Sequence, residues 1–437
     1  MNYFENITLS NINKYLIFLK KNPDISCFYI GIFLLPSAFS IACIFLLIPI
    51  FISIFKNHHK LLNDNWNKPF LISCFLLIFS SLYHFFLKDN TNLTNWDPSL
   101  SLIGLANWIP QIILYIALQP YLKTKKLRKN FCLILLSGTF PVLISGIGQL
   151  FFKWYGPMQT LNGLITWYQR PLPNFFAVTG LFNNPNYAGA WLNIAWPFAL
   201  ALIIKQKRTI VEKIFSIFFL LAIFIFIIFT GSRSAWISMI ISVPLVFGSK
   251  SFKWFVPSLL SSLAFISAIV FPIFGKSVQF FLQAIIPKFF WVDLTSEGYV
   301  NLDTSRLEIW RTGINSIINN PLFGNGAASF TSIFNNETGL WKWHSHNLPI
   351  ELAMSYGIPS ALIILLSITG LIFLGIRKIY LNSKLIMHPN LFEKAWLTSL
   401  IILILSQMVD IQYFDGRISL IGWLLLSGVK NLIKEDY

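Results

Sequence analysis

Apolar runs about 20 residues long, the length needed to cross a bilayer as a helix, recur along this chain with short polar breaks. They lie near 27–55, 69–87, 100–118, 131–152, 187–204, 214–230, 234–248, 255–274, 347–375, 395–411 and 417–430. This pattern predicts a bundle of transmembrane α-helices, because backbone polar groups surrounded by lipid must be paired within each segment. The first run is long for one helix and is interrupted by Pro36-Ser37. Lys14, Lys20 and Lys21 precede it, and Lys56, Lys60 and Lys68 follow it. Lysines on both flanks predict a broken hairpin, with residues 22–36 running in and 37–55 running back. No small-residue cleavage site ends this run, so it reads as membrane spans and not as a signal peptide. The expected fold class is all-α, a polytopic helical membrane protein of about 11–12 transmembrane helices.

The longest polar stretch is 275–346. It divides the chain into N-terminal membrane helices over 1–274, an extramembrane loop over 275–346, and C-terminal membrane helices over 347–437, all within one integral membrane domain. Within the loop, residues 304–319 carry Leu307, Trp310, Ile314 and Ile317 at helical spacing, which predicts an amphipathic helix with those residues on its buried face. Pro321, Gly324 and Gly326 then predict a turn. Phe289, Phe290, Trp291, Trp341 and Trp343 suit a loop lying against the membrane surface.

The chain is 55% hydrophobic and 11% charged, against about 25% charged in soluble domains. Its net charge of +16 raises the question of nucleic acid. The basic residues answer it: Lys123 to Lys129, Lys205 to Lys213, Lys250 with Lys253, and Arg377 to Lys394 fall in alternate loops. That is the distribution of cytoplasmic loops and not of a nucleic-acid-binding patch. Loop 275–346 and the turns at 231–233 and 412–416 then face the other side. Cys27, Cys43, Cys74 and Cys132 all lie in apolar segments, where they read as small core residues. No Cys/His spacing marks a metal site.

Ionisable residues within spans tend to be functional. Here they are His84, Glu351 and Asp410, all toward the outer face. This disfavours a transporter, whose site usually lies near the midplane, and favours an enzyme working on a substrate whose head group sits at the outer interface. His346 stands where the loop meets a span. A histidine can take a proton from a hydroxyl. Arg233, in the turn Thr230-Gly231-Ser232-Arg233, and Arg306, in the loop, supply two permanent cations with planar forks matched to phosphate oxygens. We read His346, Arg233 and Arg306 as catalytic. Asn183, Asn186, Ser232, Arg311, Asn347, Glu351 and Asp410 are assigned to substrate binding. Blander roles stay open: helix capping for the asparagines, lipid contact for Arg233, and pairing with Glu308 for Arg306 and Arg311.

Four motifs carry a resemblance to a known family. His346-Asn347 is followed by Gly357. Ser232-Arg233 sits in a turn, Arg306 and Trp310 share a helix, and Pro321-Leu322-Phe323-Gly324-Asn325-Gly326 follows it. Together, over about 180–360, they resemble the O-antigen ligase and polymerase family of membrane enzymes. The family's His motif continues to a second glycine where this chain has Ser360, a departure expected to touch helix packing and not chemistry. His344 fits that motif less well than His346. The resemblance implies a GT-C-like helical bundle with a periplasmic cap, multi-pass in the bacterial inner (plasma) membrane. It implies inverting, metal-independent transfer of a glycan from a polyprenyl diphosphate-linked donor, with no cofactor. The resemblance leaves lipid A–core, a glycan or a protein open as acceptor, so ligase and polymerase remain alternatives. A bicarbonate or small-ion transporter is the reading from another class.

Overall fold

The computed structural model describes residues 21–87, 96–172, 176–204, 209–248, 251–288, 291, 305–381 and 391–435. Helix α1 (Pro23–Leu34) and helix α2 (Phe39–Leu62) form the expected hairpin, with Pro36 in the turn between them. Gly31 lets them approach closely: a Cβ there would come within 2.7 Å of Leu46. Helix α3 (Lys68–Phe86) follows. The next apolar segment breaks into α4 (Ser99–Gly104) and α5 (Ile109–Ala117), with Pro110 in the first turn of the second piece. Pro tolerates that position because the first N–H groups of a helix have no internal partner.

Helix α6 (Lys125–Phe152) leads to a hairpin of two three-residue strands, β1 (Met158–Thr160) and β2 (Ile165–Trp167), paired antiparallel with Gln159 opposite Thr166. Then come α7 (Pro185–Ile204), α8 (Ile210–Phe229), α9 (Arg233–Phe247) and α10 (Phe252–Val270). The polar loop holds α11 (Lys276–Ile285), α12 (Arg306–Asn319) and α13 (Phe330–Thr338). The chain closes with α14 (Leu348–Tyr356), α15 (Ile358–Ile376), α16 (Leu391–Ser406) and α17 (Gly416–Lys434).

This is a polytopic helical membrane protein. Among the described residues, eight helical segments are long and apolar enough to cross a membrane, and α1 and α9 are shorter apolar helices. Helices α16 and α17 complete the bundle. α7 is its most enclosed span and packs against α8, α9 and α16. Trp191 of α7 and Trp396 of α16 are fully buried there.

Two local expectations are corrected. The segment read as one span from 347 to 375 is two helices, because Gly357 takes φ +87 and a Cβ there would overlap the Leu322 carbonyl oxygen. Only glycine fits such a left-handed, crowded position. Helix α12 buries only part of the face expected, since Trp310 and Ile317 pack on the core around Ile309 but Leu307 and Ile314 do not. Ile309, Thr312, Gly313 and Ser316 turn inward, while Leu307 is 73% and Ile314 47% exposed. The close approach explains it: a Cβ on Gly313 would come within 2.5 Å of Ile350, so small side chains face α14. The leading apolar residues point outward instead, as suits a helix beside lipid. Phe289 and Phe290 lie outside the described residues.

Among the described residues, Arg128, Lys394, Lys430 and Lys434 lie at the end of the bundle opposite His346. There Arg128 pairs with Glu393 at 2.5 Å and also with Glu435. Lys430 and Lys434 both hold Asp64, each at 2.5 Å. All four cysteines are free thiols.

Candidate active site

Three helix starts and one helix end converge at the His346 end of the bundle. Gly231, at φ +67, turns the chain sharply out of α8, and Ser232 then sits as the N-cap residue of α9. This turn is seated on α7 at Gly189, where a Cβ would come within 2.8 Å of Ala235. Arg233 thus starts α9 at the surface of the bundle.

Arg306 starts α12. Ser305 caps that helix by accepting the Glu308 N–H at 3.2 Å. Ile309 packs with Phe330, Phe334 and Met354, and Trp310 flanks the same cluster. Met354 belongs to α14, so α12 is pinned to the helix that carries His346 at its start. The turn from Pro321 to Gly326 closes this junction. Asn325 N–H donates to Met354 O at 2.7 Å, and Ile358 N–H to Pro321 O at 2.8 Å. A His84 ring nitrogen lies 2.9 Å from Phe323 O, so this intramembrane histidine braces the turn. Ser360 is buried and donates to Tyr356 O at 3.1 Å, a packing contact like the one expected of it.

His346 takes φ +54, a conformation uncommon for a residue with a side chain. Its backbone N–H donates to His344 Nδ1 at 3.2 Å. Its own Nδ1 lies 2.7 Å from Oδ1 of Asp410, whose side chain is 9% exposed. An ionised carboxylate only accepts hydrogen bonds. Nδ1 therefore carries the proton and Nε2 presents a lone pair, the tautomer a general base requires. Asp410 stands in the turn after α16, 64 residues away in sequence.

Asn347 holds these two loops together. Its Oδ1 accepts the Ile350 N–H at 3.1 Å, capping α14, and its Nδ2 donates to Met408 O at 2.9 Å. Leu348 N–H adds a bond to Gln407 O at 2.9 Å. Both ends of the Asn347 amide are engaged by protein, which ties the start of α14 to the turn after α16. Glu351 is buried, and its carboxylate accepts the Ser345 N–H at 2.9 Å. It thereby ties the residue before His346 to α14.

Charge concentrates here. Partial withdrawal from water lowers the Arg306 pKa; Asp410 opposes the shift and Arg233 adds to it. The guanidinium stays charged at neutral pH. The His344 pKa is pushed down to about 4, first by burial, then by His346, with Asp410 opposing and Arg306 adding. His344 is thus neutral at pH 7. Its ring packs edge-on against that of His346, at 4.1 Å between ring centroids.

The remaining predicted residues fall around this centre. Ser232 is buried, with its Oγ 3.1 Å from that of Ser234. Arg311 is exposed on α12. Asn186 donates its backbone N–H to the Asn184 side chain at 2.8 Å, so Asn184 supplies the capping bond at the start of α7. Asn183 is half-buried, and its Oδ1 is enclosed without a hydrogen-bond partner among the described residues.

One grouping is not visible in any local sequence spacing. Ligand atoms of His344, His346 and Asp410 lie within 4.8 Å of one another. Two imidazoles and a carboxylate form a donor set that a divalent transition metal accepts. Two neighbouring guanidinium groups disfavour a dication there.

No curated protein matches the chain. Residues 217–365 match the family model described as O-antigen ligase, a stretch running from α8 into α15 that takes in Arg233, Arg306 and His346 and leaves Asp410 outside. Over that stretch, about a third of the chain, the protein is similar to the O-antigen ligase family.

Proposed function

We propose that this protein transfers a glycan from a polyprenyl diphosphate carrier to an acceptor hydroxyl at the periplasmic face of the bacterial inner membrane. The observation that carries the reading is the 2.7 Å bond between His346 Nδ1 and Asp410, made beside Arg306 and Arg233. His346 Nε2 takes the proton of the acceptor hydroxyl as its oxygen bonds to the anomeric carbon. The bond from that carbon to the carrier phosphate breaks, and its electron pair leaves on the diphosphate. Attack opposite the leaving group inverts the anomeric centre. Arg233 and Arg306 meet the charge that develops on the leaving phosphate. Asp410 fixes the tautomer and stabilises the imidazolium. Two arginines serve where a divalent metal would otherwise neutralise the diphosphate.

The test is single-turnover transfer from a polyprenyl-diphosphate glycan by reconstituted protein, with donor binding followed separately. His346→Ala and Asp410→Asn should each slow transfer about 10²- to 10⁴-fold while donor affinity changes little. Either variant turning over at the wild-type rate removes this mechanism. A deletion strain separates the two acceptor classes. Finished polymer left on the carrier indicates a ligase, and single repeat units left on it indicate a polymerase.

A further inference from the structure

A second polar cavity, of about 460 Å³, opens beside the His346 centre, within the ~300–1,000 Å³ of small-molecule sites. Four parts of the chain build it. The turn between α1 and α2 brings Ser40. The β1–β2 hairpin brings Thr166 and Tyr168, the start of α7 brings Asn183 and Tyr187, and Phe414 closes the side toward the histidines. The hairpin is fixed over the α1–α2 turn by Trp167 Nε1, which donates to Ser37 O at 2.7 Å. The Phe414 ring lies 5.6 Å from that of His344, itself 4.1 Å from His346. One aromatic wall therefore separates the cavity from the base.

Its lining specifies the occupant. Hydroxyl groups and aromatic rings alternate around it. Asn183 adds an amide to the wall, so that with the hydroxyls of Ser40, Thr166, Tyr168 and Tyr187 the cavity offers a ligand both donors and acceptors. The one guanidinium at the cavity, Arg417, is spent on the protein. Its Nε donates to Asp415 at 2.9 Å, its Nη1 to Leu181 O at 3.1 Å, and its plane stacks 4.0 Å from the Phe182 ring. With Asp415 neutralising it, the cavity offers an anion little, unlike the Arg233–Arg306 pair.

We propose that this cavity is a sugar subsite holding a neutral, polyhydroxylated residue of a glycan substrate, with the Asn183 side chain among the polar groups that meet its hydroxyls. The proposal rests on the glycan-transfer reading above and adds where the carbohydrate lies. The chemistry is common to the acceptor glycan and the sugar end of the donor.

Direct binding tests it without requiring turnover. Full-length protein in lipid nanodiscs is titrated with two probes: core oligosaccharide, and repeat-unit oligosaccharide, each released by mild acid from the source cells' surface glycans. Ser40→Trp fills the cavity, Asn183→Leu removes the amide, and Ser40→Ala controls for the loss of one hydroxyl. At least one probe should bind the wild type, with affinity reduced about tenfold or more in Ser40→Trp and Asn183→Leu and kept in Ser40→Ala. Binding of the core probe assigns the subsite to the acceptor, and binding of the repeat-unit probe assigns it to the donor glycan. If neither probe binds the wild type, or if Ser40→Trp with an unchanged melting temperature binds as the wild type does, the subsite is wrong. Cavity-dependent sugar binding by a protein that performs no transfer would sink the proposed reaction and leave the subsite standing.

Discussion

Asn347 donates its side-chain N–H to the Met408 carbonyl at 2.9 Å, and this bond sets the distance between the loop that carries His346 and the turn that carries Asp410. The residue after His346 thus holds the turn that carries Asp410, 63 positions further along the chain.

Replacing Asn347 separates its two jobs. Asn347→Asp keeps an oxygen to cap α14 but loses the donor to Met408, so the helix survives while the His346–Asp410 spacing loosens. Turnover should fall about 10- to 100-fold, since a displacement near 1 Å of a catalytic group costs about that much. Donor affinity should stay near the wild-type value. A steady-state kcat and KM comparison checks this, and a variant with unchanged kcat would show that the clip does not position the base.

Arg233→Lys and Arg306→Lys should each lose most activity although the charge is kept, because an ammonium cannot present a bidentate fork to phosphate oxygens. Alanine at either position should also weaken donor binding, as a contact made in the ground state is lost. Transfer assays with donor titration read both effects. Lysine variants that work normally would make these residues interfacial anchors.

Chelation is a sharp test because His344, His346 and Asp410 bring their ligand atoms within 4.8 Å. If the arginines neutralise the diphosphate, purified enzyme should transfer glycan at an unchanged rate in EDTA. Activity lost to EDTA and restored by Mn²⁺ or Zn²⁺ would turn the three-residue group into a metal site and overturn the arginine clamp.

His344 gives a pH signature. Its folded-state pKa, about 4, lies below the ordinary histidine value of ~6.5. The unfolded chain therefore binds the extra proton first as pH falls, and stability is lost between about pH 6.5 and about pH 4. No contribution from this group is expected above that window, where both states are neutral. His344→Gln should flatten the decline of thermal midpoint with falling pH in this range, and should slow transfer far less than His346→Ala. An unchanged pH profile in that variant would mean that the ring is not held neutral by burial.

The sequence by itself determined the bundle. Apolar runs of bilayer length have one solution in lipid, and Pro36 placed the first hairpin turn where the helices break. It also placed Arg233, Arg306 and His346 at helix starts, because each follows a local turn signal in glycine, serine or proline. Tertiary structure decided the rest. The burial face of α12 was misread in part, because the helix meets α14 through Gly313 and Ser316, and the spacing of apolar residues does not reveal a neighbour that demands small ones. The break at Gly357 depends on the Leu322 carbonyl crowding it. Asp410, Asn347 and Glu351 looked alike as polar residues near one interface. Only the folding of α16 back beside α14 made Asp410 the hydrogen-bond partner of His346, Asn347 a link between the two loops and Glu351 a buried acceptor for Ser345. Such roles are set by contacts across tens of residues, which no local pattern records.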